Sequence, residues 1–102
     1  MRDRLSLQTI LETKLGTRNV YFQPPESKRL SYPCIIYEMQ TPSILKADDT
    51  FYHGMKRYKI TVIDKNPDST IYERILVLPY ATMAEPPYVA ENLYHFVLTL
   101  YY

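Results

Sequence analysis

Residues 93–102 alternate in character without a break. Tyr94, Phe96, Leu98, Leu100 and Tyr102 fall on one side of an extended chain, and His95, Val97, Thr99 and Tyr101 on the other. A period of two held over that length marks a half-buried β-strand. Residues 55–64 repeat the pattern, with Tyr58, Ile60 and Val62 on one side and Lys59, Thr61 and Ile63 on the other. Two such strands cannot bury their apolar sides alone. They need more strands beside them and a second layer above them.

The N-terminal segment can supply that layer. Leu7, Ile10, Leu11 and Leu15 share one stripe of a 3.6-residue period, so residues 4–15 read as a helix. Asp3 is placed to cap its start, and Gly16 to end it in a left-handed conformation. A second helix is expected over residues 69–78, opened by Asp68 or Ser69 after a dense turn cluster and closed by Pro79. Ile71, Tyr72, Ile75 and Leu78 have helical spacing there. The continuous run Ile75-Leu76-Val77-Leu78 also admits a strand.

Three further segments complete the outline. Asn19 begins a short strand that Pro24-Pro25 stops, and Cys34-Ile35-Ile36-Tyr37-Glu38-Met39 forms a central strand after Pro33. Segments 33–41 and 51–64 then make a hairpin. Residues 80–91, with Pro86-Pro87, read as loop. The expected architecture is α+β: one domain over residues 1–102, with an antiparallel or mixed sheet of four to five strands packed against two helices. A hairpin loop projects at about residues 41–54.

Chemistry finds little foothold in this outline. Cys34 is the only cysteine and lies among aliphatic residues, which suits a buried, inert thiol. His53 stands near Asp48, Asp49 and Tyr52, and this group reads as a polar turn, since a metal site needs three or four converging ligands. With two glycines in 102 residues, no phosphate-cradling loop is present. A net charge of +1 provides no footprint for nucleic acid or an anionic membrane. In the basic and aromatic group Tyr52, Lys56, Arg57, Tyr58 and Lys59, the alternation assigns Tyr58 to the core. No run is long and apolar enough to span a bilayer, and no leader pattern follows Met1. The reading is a soluble, non-catalytic domain without cofactor or metal.

Protein contact is the remaining possibility. Eleven tyrosines and no tryptophan suit surfaces that are half buried and half wet. The loop at 41–54 mixes Ile44, Leu45, Phe51 and Tyr52 with Lys46, Asp48 and Asp49, and such exposed apolar groups ask for a cover. Tyr88, Tyr101 and Tyr102 raise the same requirement near the C-terminus. These ten residues form the candidate interface.

The order of segments resembles the tail-terminator (tail-completion, head–tail joining) proteins of long-tailed bacteriophages. The resemblance rests on the amphipathic helix at 4–15 and Tyr32-Pro33-Cys34-Ile35-Ile36-Tyr37-Glu38. It continues through Ala47-Asp48-Asp49-Thr50-Phe51-Tyr52, Arg57-Tyr58-Lys59-Ile60-Thr61-Val62-Ile63-Asp64 and Asn66-Pro67-Asp68-Ser69. It ends with Tyr88-Val89-Ala90-Glu91-Asn92-Leu93-Tyr94-His95 and the final strand. The resemblance implies an α+β subunit of a homohexameric ring in the virion, assembled in the host cytoplasm. The ring would sit at the head-proximal end of the tail tube, contacting the tube protein and the head-completion or neck proteins. There it would end tube polymerisation and join tail to head. Two alternatives stand beside it: another head–tail connector ring (head-closure or adaptor), and a small phage-encoded regulator that binds a protein. The loop reading makes a test available: Phe51→Glu should leave the circular dichroism spectrum and urea midpoint unchanged while blocking assembly, whereas loss of folding would assign Phe51 to the core.

Overall fold

The structure, a computed structural model, describes residues 4–40 and 56–102. Helix α1 (Arg4–Leu15) leads into strand β1 (Val20–Phe22), then β2 (Cys34–Met39) and β3 (Arg57–Asp64). Helix α2 (Ile71–Leu76) follows, and then β4 (Ala81–Met83), β5 (Tyr88–Ala90) and β6 (Leu93–Tyr101). The strands form one mixed sheet in the order β1-β2-β3-β6-β4, with β5 also paired to β6. This is the α+β fold of a sheet packed against two helices.

The alternation in β3 and β6 translates directly into a core. Their antiparallel register sets Val62 beside Phe96, Ile60 beside Leu98, and Tyr58 beside Leu100. Strand β2 adds Ile35 beside Val62 and Tyr37 beside Ile60. All these residues point to the same face and are buried, together with Leu7, Leu11 and Leu15 of α1 and Ile71 and Ile75 of α2. Each such side chain removed from water contributes about 1.5–3 kcal/mol. The parallel pairing of β1 with β2 extends the face through Val20 and Phe22.

Helix α1 ends as its sequence dictates: Gly16 has φ 91°, and its N–H donates to the Glu12 carbonyl at 2.8 Å. A residue without Cβ enters this conformation at no steric cost. Helix α2 is shorter than the 69–78 span its pattern suggests. Ser69, buried, uses its Oγ to accept from the Ile71 N–H at 3.4 Å. Beyond Leu76 a hydrogen bond from the Leu78 N–H to the Ile75 carbonyl closes a turn, and Tyr80, at φ 64°, reverses the chain into β4. The helix stops three residues before Pro79, because β4 must reach its place beside β6.

The segment read as loop, 80–91, contains two three-residue strands. Strand β5 turns into β6 through Glu91 and Asn92 alone, both at positive φ (54° and 64°). Two central residues with positive φ are what a type I′ hairpin turn requires. Asparagine tolerates that region, while glutamate enters it at a steric cost. With neither residue a glycine, the usual turn signal is missing.

Tyr37 joins the two layers. Its ring is fully buried, and its hydroxyl donates to Gln8 Oε1 at 2.5 Å and accepts from Arg4 Nη1 at 3.3 Å. Gln8 Nε2 donates onward to Glu12 Oε2 and to the Val20 carbonyl, both at 3.0 Å. Burial raises the Tyr37 hydroxyl above the ordinary tyrosine value, with the hydrogen bond and charge of Arg4 working against the rise. Tyr37→Phe should cost about 1–2 kcal/mol by leaving Gln8 Oε1 without its donor, and Leu11→Ala about 2–5 kcal/mol by opening a cavity. Both should appear as lowered urea midpoints. Glu91→Asn with Asn92→Gly should raise the unfolding free energy by about 0.5–1 kcal/mol, and the urea midpoint with it, through relief of the turn.

Candidate protein-docking surface

Because a strand sends alternate side chains to opposite faces, the core on one face defines a second set on the other. Cross-strand register arranges that set in rows. Cys34, Ile63, His95 and Tyr88 form one; Tyr21, Ile36, Thr61 and Val97 the next; Glu38, Lys59, Thr99 and Thr82 a third; and Arg57 with Tyr101 a fourth. Neither described helix lies on this face, since the buried residues of both belong to the opposite core. An antiparallel sheet facing water on one side normally alternates to polar residues there. Here Cys34, Ile63 and Val97 are buried on it, and Ile36, Tyr21 and Tyr101 are half-buried.

Part of the face is roofed by the chain itself. Strands β1 and β2 are parallel, so residues 23–33 must return the length of a strand before β2 begins. They leave a groove of about 410 Å³ lined by Gln23, Pro24, Pro25, Glu26, Lys28 and Leu30 on one side and Ile36 and Glu38 on the other. The groove is anchored: Gln23 donates its N–H to the Tyr37 carbonyl and accepts the Met39 N–H on Oε1. The Lys28 ammonium stands 5.5 Å from the Tyr21 ring centre.

The sheet edges are guarded against further strands. At β1 the Val20 carbonyl is occupied by Gln8. At the other edge β4 and β5 run in line along β6, but residues 84–87 stand opposite only Phe96 and Val97, which makes a bulge. That bulge carries Pro86 and Pro87. A proline-bearing bulge breaks the row of free N–H groups that strand addition would use. Contact with another protein is therefore better served by faces and side chains than by an added strand.

Of the residues singled out from the sequence, Ile44, Leu45, Lys46, Asp48, Asp49, Phe51 and Tyr52 lie outside the described residues, as does the projecting tip at 41–54. The other three are placed apart. Tyr88 is 44% exposed, and its ring stacks on His95 at 4.8 Å and 9°. Tyr101 is half-buried at the far end of the same face, opposite Arg57. Tyr102 packs against the helix-covered core and exchanges backbone hydrogen bonds with Lys56, both at 2.9 Å.

Tyr80, another tyrosine that the sequence brings to notice near the C-terminus, is 46% exposed. Two exposed groups were not expected from the sequence: Val89, 58% exposed beside Tyr88, and Val77, 72% exposed beyond the end of α2. Val77 carried a signal: it falls off the Ile71, Ile75 and Leu78 stripe. Val89 carried none, because its edge position depends on pairing with β6. His95 also became part of the site only through that pairing; its Nδ1 lies 3.1 Å from the Leu93 carbonyl.

Burial, reinforced by the Asp64 carboxylate, pushes the Cys34 thiol up to about 12. No three His, Cys, Asp or Glu side chains among the described residues converge to hold a metal. No described helix is long and apolar enough to cross a membrane. Tyr58, one of the two aromatics of the basic group around residue 57, is buried in the core, and Tyr52, the other, lies outside the described residues. No family model matches the chain, and no characterised protein matches it in a search of curated sequences.

The raised thiol has two measurable consequences. Iodoacetamide at pH 8 should leave native Cys34 unlabelled and modify it fully in denaturant. Native Cys34 keeps its proton where an unfolded cysteine, near 9, loses it. Its contribution to stability is thus present below about pH 9 and declines as the pH rises from there towards 12. Cys34→Ala should flatten that decline in a urea titration at increasing pH.

Proposed function

We propose that this protein is a structural subunit of a phage tail, a tail terminator that closes the head-proximal end of the tube and receives the head. The observation that carries the reading is the one-sided sheet. Both helices cover a single face, and the other keeps half-buried Ile36, Tyr21 and Tyr101 and the exposed Tyr88 stacked on His95, interleaved with Lys59, Arg57 and Glu38. Partly exposed tyrosines and an arginine beside aliphatic residues are the kinds of side chain enriched at protein interfaces. The order of helix, strands, helix and long final strand agrees with the resemblance seen in the sequence. Its helices also favour the terminator over a more β-rich connector.

The mechanism needs no reaction. A subunit with different surfaces on its two sides joins copies head to tail, and the rotation per subunit closes a ring. Guarded sheet edges keep such copies from polymerising as an open sheet. In this reading the exposed Tyr88 and Val89 at the rim meet a neighbouring copy, the tube protein or a neck protein. In this reading the charges of Glu38, Lys59 and Arg57 set orientation more than affinity.

Three measurements test this. Mass spectrometry of purified particles should find the protein in a ring's worth of copies per virion; its absence from virions would favour the regulator. Deleting the gene should yield overlong or irregular tails with unjoined full heads, and normal joined particles would refute the assignment. Val89→Glu, at an exposed site without a ring contact, should change the unfolding free energy by under about 0.5 kcal/mol. It should nevertheless fail to complement the deletion if the β5 rim makes the contact.

A further inference from the structure

We draw no further inference here: the strongest candidate, the helix-free sheet face with the groove between residues 23–30 and the β2 side chains Ile36 and Glu38, is an unpartnered surface, and nothing in the structure shows what covers it.

Discussion

The buried hydroxyl of Tyr37 holds the two layers of this protein in one arrangement. Apolar burial alone brings α1 onto the sheet, but it is non-directional and would tolerate sliding of the helix along its stripe. The Tyr37 hydroxyl admits one position, in which Gln8 accepts its proton and Arg4 donates to its oxygen. A slip by one turn would strand a polar atom in the core, at a cost of about 1–3 kcal/mol. Gln8 also reaches the Val20 carbonyl, so the same helix turn positions the edge strand. Arg4 extends the arrangement over the ring of Phe22, 4.5 Å from its centre.

With α1 and α2 committed to one face, the character of the other follows. The crossover from β1 to parallel β2 has no helix, and its residues 23–30 form a groove with that second face. The last strand, β6, enters between β3 and β4 and becomes central. This insertion aligns His95, Val97 and Tyr101 with Ile63, Thr61 and Arg57 and so assembles the candidate docking surface from distant parts of the chain. The surface therefore rests on the hydrogen-bonded sheet beneath it.

Edge protection and surface contact are two sides of one constraint. A sheet that retained long free edges would recruit strands indiscriminately. Pro86 and Pro87 in the bulge, and Gln8 over β1, limit that route. Specificity then rests on side chains. In the proposed tail ring this matters directly, because the assembly must stop at closure, and strand addition has no natural stopping point.

The two long strands, both helices and the inward faces were legible in the residues alone, because periods of two and 3.6 follow from backbone geometry and survive any tertiary setting. Gly16 and the dominant Leu7, Leu11, Leu15 stripe were legible for the same local reason. The strands β4 and β5 were not: three residues are too few to show a period, and their pairing energy comes from β6. The Glu91-Asn92 turn was hidden because the closing geometry of the hairpin, and not a glycine, holds both residues at positive φ. The end of α2 at Leu76 was likewise decided by where β4 had to begin. Of the candidate interface, tyrosine content pointed to Tyr88 and Tyr101, while their separation along the face, the His95 stack and the placement of Tyr102 on the core side depended on register. Local sequence determines what each segment is and which side it hides. Apart from the antiparallel pairing of β2 with β3, which the sequence led one to expect, which segments become neighbours is a long-range pairing, and only the tertiary structure could set it.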